Sequence, residues 1–228
     1  MLKPVAAALL IAGVVSGSVR LQPDRPARAQ DWPFYGGDQG GMKYSPLADV
    51  NASTVSRLGI AWQWSPNEKA LSAFGTRPGN FQATPLMIDN VLYLSTMYNR
   101  VVALDADSGA ERWAFDPKAY EDGQPPNGTG FVHRGIAAWR DSRDGNRLRL
   151  FLNSRYHLIC LDAATGRPVE SFGPHGVFDL STGLVWEINK TPYTNPPPPP
   201  GTTNLVIPAN RVGTRPGAPS GQPGHPRP

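Results

Sequence analysis

The sequence predicts an all-β fold, and an internal repeat is the main reason for this prediction. Residues 91–113 are repeated, with changes, in residues 150–170. Both copies alternate apolar and polar residues in two short runs and then carry an Asp/Gly turn, which is typical of a β-hairpin. The offset of about 57 residues is close to the length of one blade in a large β-propeller. We therefore expect a partial propeller of about two to three blades.

Residues 1–30 are predicted to be a secretory signal peptide. Lys3 precedes an apolar run at 5–15, and small residues follow up to Ala29. This run is short for a membrane span and prolines follow it, so we expect a periplasmic or secreted protein, with an uncleaved membrane anchor as the alternative. Cys160 is the only cysteine, so no internal disulfide can form, and its apolar surroundings predict a small core residue.

The formal net charge of +4 belongs to the two ends of the chain. Residues 1–30 carry +3 and the stretch from Gly201 carries another +3, which leaves −2 for residues 31–200. A nucleic-acid partner is therefore not expected, because the predicted globular part has no basic excess.

The elements between residues 31 and 195 follow from apolar runs bounded by turn residues. Asn51 or Ser53 is predicted to cap a short helix that ends near Leu58. Strands are predicted at 60–64, 81–88, 112–115, 131–139 and 148–161, with a hairpin at 91–104, a turn at 105–109, a long loop at 116–130 and a polar hairpin tip at 141–146.

Residues 196–228 form a proline-rich tail with a different composition. This segment holds eleven of the 25 prolines, including the run at 196–200, which favours polyproline II and cannot donate to a strand ladder. Residues 204–207 resemble the first strand of a third blade, but Pro208 follows at once. We therefore expect a degraded or frameshifted third blade that ends in a disordered tail, and a chain that is part of a longer propeller.

The turn at residues 103–113 has a mechanical role in this prediction. Asp105 can accept hydrogen bonds from the turn amides, and Gly109 allows a positive φ. Trp113 can then dock on the neighbouring blade. This string resembles the tryptophan-docking motif of the eight-bladed quinoprotein dehydrogenases, which use pyrroloquinoline quinone (PQQ).

Other parts of the chain strengthen the resemblance. The second copy of the motif keeps Asp162, Thr165 and Gly166 but has Glu170 in place of the tryptophan. Three further segments are similar to the family, and they lie at residues 31–47, 83–96 and 133–136. The resemblance covers residues 31–195 and more faintly continues to about residue 213, which amounts to the N-terminal third of a family member.

The resemblance implies a periplasmic oxidation of a sugar or alcohol hydroxyl, with Ca²⁺ as the Lewis acid beside PQQ and a carboxylate as the base. Electrons would then pass to a cytochrome or to membrane quinone. The base and most of the calcium ligands are expected in blades outside this chain, so no catalytic residue and no metal ligand are assigned. We therefore expect this chain alone to be inactive. The absence of adjacent cysteines favours the glucose and other sugar or polyol dehydrogenases over the alcohol dehydrogenases.

Two residues are predicted to contact the cofactor on the basis of this resemblance. Arg134 matches the family's quinone-contacting arginine, and its forked donors suit a quinone oxygen or a carboxylate. An ordinary surface arginine is the alternative. Gln82 falls where the family usually places a glutamate near the quinone, and it keeps the hydrogen-bonding reach without the charge.

The histidines are weaker candidates. Strand alternation puts His133 on the face opposite to Arg134, which favours packing or solvent exposure over a ligand role. His157 and His175 belong to no cluster with metal-ligand spacing. Four tryptophans are predicted to pack in the blades, with substrate stacking as the alternative, namely Trp62, Trp64, Trp139 and Trp186.

A non-catalytic propeller that serves as a binding or assembly scaffold is the alternative function. Outer-membrane assembly lipoproteins share these repeats, but no cysteine follows the apolar run to carry a lipid anchor. That alternative also leaves the segment around Arg134 without an explanation.

Overall fold

The computed structural model describes residues 31–182, 184 and 189–193. In these residues eight strands form two four-stranded antiparallel sheets, which confirms the predicted all-β class. The first sheet contains β1 (Leu86–Ile88), β2 (Val91–Ser95), β3 (Val101–Asp105) and β4 (Glu111–Phe115). The second contains β5 (Ala137–Asp141), β6 (Arg147–Ser154), β7 (His157–Asp162) and β8 (Val177–Asp179). Single 3-10 turns lie at Val55–Arg57, Ser72–Phe74 and Pro174–Gly176.

Each copy of the sequence repeat supplies the two central strands of one sheet. The strands follow chain order across both sheets, and each neighbouring pair is antiparallel. The central pairs also correspond, because Tyr93 lies opposite Ala103 in the first sheet and Phe151 lies opposite Cys160 in the second. This meander of four short strands is the arrangement of one propeller blade.

The two sheets pack face to face around the largest core cluster. We call the side of the first sheet that carries Tyr93, Val101 and Ala103 its forward face. This face packs in one cluster with Ile159 and Leu161 of the second sheet. The forward face of the second sheet is the side that carries the equivalent repeat positions, namely Phe151, Leu158 and Cys160.

The other side of the first sheet is covered by the N-terminal segment. Trp62 and Trp64 pack on a small cluster that includes Leu104. The predicted strand at 60–64 is wrong, because these residues pair with no strand in the described part of the chain. Their side chains do alternate, with the two tryptophans half-buried and Ala61 and Gln63 exposed. Alternation in a sequence therefore predicted which side chains are covered, but a strand also needs a ladder partner.

Two other predicted elements are shorter in the structure. The helix predicted at 51–58 is only the 3-10 turn Val55–Arg57, preceded by an Asn51 side chain that accepts a hydrogen bond from the Ser53 amide at 3.0 Å. A single turn fixes several dihedral angles for few hydrogen bonds, so a sequence this short does not sustain an α-helix alone. The strands predicted at 81–88 and 131–139 begin only at Leu86 and Ala137.

The predicted docking turn is confirmed. The Asp105 carboxylate accepts hydrogen bonds from the amides of Asp107 at 3.2 Å and Ser108 at 3.0 Å. Gly109 has a φ of 71°. Trp113 donates from Nε1 to the carbonyl oxygen of Ala163 in the second sheet at 3.1 Å, so the tryptophan joins the two blades.

Trp62 makes the same type of contact with the docking turn of the first sheet. Its Nε1 donates to the carbonyl oxygen of Ala106 at 3.0 Å, and a Cβ placed at Gly109 would overlap its indole ring. Gly166 is in the same position relative to Trp113. Trp62 thus packs on the first blade, as predicted, and it does so in the docking geometry that Trp113 repeats.

The remaining predictions on the ends of the chain concern residues outside the described part. These are the signal peptide at 1–30, the tail at 196–228 and Trp186. Within residues 31–182, 184 and 189–193, no helix is long and apolar enough to cross a membrane.

Candidate cofactor site

The two predicted cofactor contacts lie on segments that meet at one end of the sheets. Gln82 precedes β1, and Arg134 precedes β5. The backbone amide of Thr84 donates to the carbonyl oxygen of Arg134 at 3.0 Å, so the two lead-in segments are joined directly. Gln82 is two residues from this bond. The fold therefore places both residues at the same edge, where the first strand of each blade begins.

Arg134 presents a free guanidinium to solvent. Its side chain is exposed, and it forms no ion pair or side-chain hydrogen bond with any residue in the described part of the chain. Other arginines behave differently, because Arg112, Arg140 and Arg149 each pair with an aspartate at 2.9 Å or less. An unpaired guanidinium at a sheet end is available to bind an anionic or carbonyl-bearing ligand.

The donor set at this edge fits PQQ in its chemistry. PQQ carries carboxylates and two quinone oxygens, and all of these accept hydrogen bonds. Arg134 supplies a charged forked donor, and the exposed amide of Gln82 supplies a neutral donor. No carboxylate of this pair would oppose an anionic cofactor, because residue 82 is a glutamine.

His133 is buried beside this edge. Only 4% of the residue is exposed, and its Nδ1 lies 2.9 Å from the Ser95 hydroxyl on β2. Burial lowers the pKa of His133 to about 4, and the nearby backbone of Asn153 opposes this shift only in part. Of the two fates predicted for His133, packing is the one that the structure shows.

The other histidines are not brought together with acidic groups into a metal centre. His157 is half-buried, and burial lowers its pKa. The exposed His175 lies 3.0 Å from Glu170, in the connection between β7 and β8. No group of three or more His, Cys, Asp or Glu side chains suited to a metal ion occurs in the described residues.

Arg155 holds the loop that leads to Arg134, and sequence analysis missed this role. Its Nε donates to the carbonyl oxygen of Ala119 at 2.7 Å, and its terminal nitrogen donates to that of Gly123. The guanidinium also lies 5.6 Å from the centre of the Phe131 ring. A buried arginine that binds loop carbonyls cannot be recognised in a sequence, because its partners are more than thirty residues away.

Glu68 fastens the N-terminal segment to the β2–β3 turn, and this contact was also not predicted. Its carboxylate accepts hydrogen bonds from the Thr96 hydroxyl at 2.5 Å and from the Tyr98 amide at 2.9 Å. Burial raises the pKa of Glu68. The turn next to Ser95 is therefore fixed from outside the sheet.

A small, partly open cavity lies beside His133. Its volume is about 10 Å³, and His133, Asn153 and Arg155 are among the residues that line it. This space holds at most about one water molecule, whereas ligand pockets usually measure hundreds of Å³. A cofactor of the size of PQQ would therefore not fit in this cavity.

Comparison with known proteins identifies the family. A family described as glucose/ethanol/alcohol dehydrogenase, β-propeller domain, and named for PQQ, matches residues 32–227. The chain belongs to this family. The matched range also includes the proline-rich segment. The predicted resemblance to quinoprotein dehydrogenases and the partial propeller are both confirmed, and PQQ is the cofactor of the family.

Individual relatives share about a third of their aligned residues with this chain. The quinoprotein glucose dehydrogenase of Gluconobacter oxydans is 32% identical in an alignment of 203 residues that covers 80% of this chain and 23% of the relative. The quinohemoprotein alcohol dehydrogenase ADH IIB of Pseudomonas putida is 33% identical in an alignment of 173 residues that covers 74% of this chain and 21% of that enzyme.

A solved structure gives the same result for the fold. The crystal structure of the quinohemoprotein alcohol dehydrogenase from Comamonas testosteroni superposes with a TM-score of 0.59 and 26% identity. The match covers 82% of this chain and 24% of that protein. The chain thus spans about a quarter of the length of the relatives that it matches.

Proposed function

We propose that this chain supplies the first two blades of a PQQ-dependent dehydrogenase and contributes Arg134 and Gln82 to the PQQ site. The observation that carries this proposal is the free guanidinium of Arg134, held by its backbone at the edge where the two blades begin. When bound, PQQ would accept the hydride that leaves the substrate carbon.

The roles of the two side chains follow from their chemistry. Arg134 would bind a quinone oxygen or a carboxylate of PQQ through two parallel N–H donors. Gln82 would orient the cofactor through its amide without adding charge. Neither residue is assigned as a catalytic residue or as a Ca²⁺ ligand.

The wider reaction is also a proposal. We infer that the whole enzyme oxidises a sugar or alcohol hydroxyl in the periplasm and passes electrons to a cytochrome or to membrane quinone. Two of the relatives are named quinohemoproteins, which supports a haem acceptor at the level of the family. The relatives also carry most of their length outside the matched region, which supports the expectation that these blades alone do not turn over substrate.

A binding titration tests the cofactor assignment. The full chain is titrated with PQQ, and Arg134→Ala is compared with Arg147→Ala, a matched control. Arg147 is an exposed arginine at the opposite end of the second sheet, where it lies 3.7 Å from Asp144. Loss of a charge-assisted hydrogen bond costs about 1.5–3 kcal/mol, so Arg134→Ala should weaken binding at least tenfold while the control binds normally. Equal affinity of all three proteins would refute the role of Arg134.

An activity assay tests the second part of the proposal. The chain is supplied with PQQ, Ca²⁺ and glucose, with an artificial electron acceptor as the reporter. We expect no turnover above that of free PQQ. PQQ-dependent turnover that requires the folded chain would show that the described blades already contain a base, and would contradict the proposal.

A further inference from the structure

The tripeptide His133-Arg134-Gly135 forms a closed turn around Arg134. Gly135 has a φ of 139°, and a Cβ at this position would lie 3.0 Å from the carbonyl oxygen of Thr84. Only glycine adopts this conformation readily. The bend directs the Gly135 amide back to Nδ1 of His133, at 3.2 Å.

This contact fixes the state of the histidine ring. A backbone N–H can only donate, so the Gly135 contact assigns Nδ1 of His133 as an acceptor and places the proton of the neutral ring on Nε2, a buried nitrogen with no hydrogen-bond partner among the described residues. The Ser95 hydroxyl, 2.9 Å away, then donates to the same nitrogen. Ser95 is fully buried on β2 of the first sheet, whereas His133 belongs to the lead-in of the second. One imidazole therefore joins the tripeptide to the neighbouring blade.

Arg134 is held on both sides by these bonds. Its carbonyl oxygen accepts from the Thr84 amide, and both of its chain neighbours are tied together through Nδ1 of His133. The arginine side chain itself is exposed and forms no ion pair or hydrogen bond with the residues that the structure describes. The backbone that carries the guanidinium is therefore ordered before any ligand binds, which reduces the entropy lost on binding.

We infer that His133 is a positioning residue that fixes the direction of Arg134 by accepting hydrogen bonds from Ser95 and Gly135. The inference rests on the proposed function, because it assigns Arg134 to the PQQ site. In this proposal His133 does not contact the cofactor and acts only through the backbone of Arg134.

A double-mutant cycle on PQQ affinity is the main test. His133→Leu removes the acceptor and keeps an apolar side chain, and it should weaken PQQ binding about three- to tenfold, the cost of ordering one long side chain. In the Arg134→Ala background the same substitution should have no further effect, because the side chain that His133 positions is gone. Equal effects in the two backgrounds would overturn the inference, since a purely structural histidine predicts them.

A substitution with a shorter hydrogen-bond acceptor separates the effect of the hydrogen bond on PQQ affinity from the effect of the imidazole ring. Asparagine accepts from the amide two residues later at three other places in the described part of the chain, from Ser53 to Asn51, from Thr129 to Asn127 and from Thr191 to Asn189, each at 3.0 Å. His133→Asn should therefore restore most of the affinity that His133→Leu loses. Equal affinity of the two variants would contradict the inference.

NMR on the unsubstituted chain keeps the test independent of folding defects and of PQQ. Nitrogen-15 shifts of the imidazole should report the Nε2–H tautomer at neutral pH, and the Gly135 amide should be protected from hydrogen exchange. The Nδ1–H tautomer or a rapidly exchanging Gly135 amide would overturn the inference. Absence of PQQ binding with the expected NMR result would refute the proposed function and leave the closed turn established.

Discussion

The forward faces of the two sheets are equally buried but are covered by different partners. Tyr93 and Ala103 of the first sheet pack against the strands of the second sheet. The equivalent Phe151 and Cys160 of the second sheet pack against non-strand residues, which include Phe172. The sequence repeat thus specifies which side chains are buried, while the partner that buries them changes from one blade to the next.

The docking position shows the same difference. Trp113 reaches from the first sheet to Ala163 of the second. At the corresponding place in the second repeat, the exposed Glu170 pairs with the exposed His175. The sheets are therefore joined by the half-buried indole of Trp113 at one end and by the Ser95–His133 contact at the other. The second sheet carries no tryptophan at its own docking position.

The largest effect is expected at the glycine that accepts the docked tryptophan. Gly166→Ala should lower the free energy of unfolding by about 3–4 kcal/mol, because the site needs a positive φ and a methyl group would overlap the Trp113 ring. Gly145→Ala is the matched control. Gly145 has a φ of 60° with open space around it, so strain alone should cost about 1 kcal/mol. Equal losses in urea denaturation would show that docking contributes nothing at this site.

The histidine contact between the sheets should make stability depend on pH. The pKa of His133 is about 4 in the folded chain and about 6.5 when unfolded, so the unfolded state binds more protons between these values. The contribution of neutral His133 to the free energy of unfolding is fully present above pH 6.5. About 3 kcal/mol of this free energy should be lost as the pH falls to 4. The guanidinium of Arg155 lines the same small cavity as His133.

The His133→Asn variant provides the control for this pH effect. Its unfolding free energy, measured in urea from pH 7 to 4, should fall less steeply than that of the unsubstituted chain, because asparagine does not titrate. Parallel curves for the two proteins would mean that other groups cause the pH dependence.

Substitution of two leucines tests whether the face of the second sheet that packs on the first sheet is more rigid than the forward face of the second sheet. Leu152 lies between the two sheets and Leu158 lies on the forward face of the second. Leu152→Ala should cost about 3 kcal/mol and Leu158→Ala about 2 kcal/mol, because irregular segments can collapse around a cavity better than a second sheet can. Comparing the two unfolding free energies under one condition measures this difference. A larger loss for Leu158→Ala would show that the forward face of the second sheet is the more rigid one.

The smallest expected effect concerns the thiol on the second forward face. Burial raises the pKa of Cys160 to about 12, so almost no thiolate forms at pH 8. We expect a thiol reagent to leave the folded chain unmodified and to react fully in denaturant. Rapid labelling of the native chain would show that this face opens to solvent, in contrast to the face between the sheets.

The parts of the fold that sequence predicted correctly are those set by local chemistry. The hairpin at 91–104 and the docking turn around Asp105 depend on residues close in the chain, and both are confirmed. The strand predicted at 60–64 failed, because alternation cannot show whether a ladder partner exists. In the candidate site, the family resemblance pointed to Arg134, but the contacts of Arg155 and Glu68 that fix its surroundings join distant segments and left no local signal.

The measurement that tests our account most directly is a crystal structure of this chain with PQQ. We predict that the cofactor lies on the exposed edge where the two blades begin, with one of its oxygens within hydrogen-bonding distance of the Arg134 guanidinium and with the amide of Gln82 beside it. PQQ bound elsewhere, for example against Arg112 at the docking turn, would contradict the assignment, as would a saturated crystal with no cofactor at this edge.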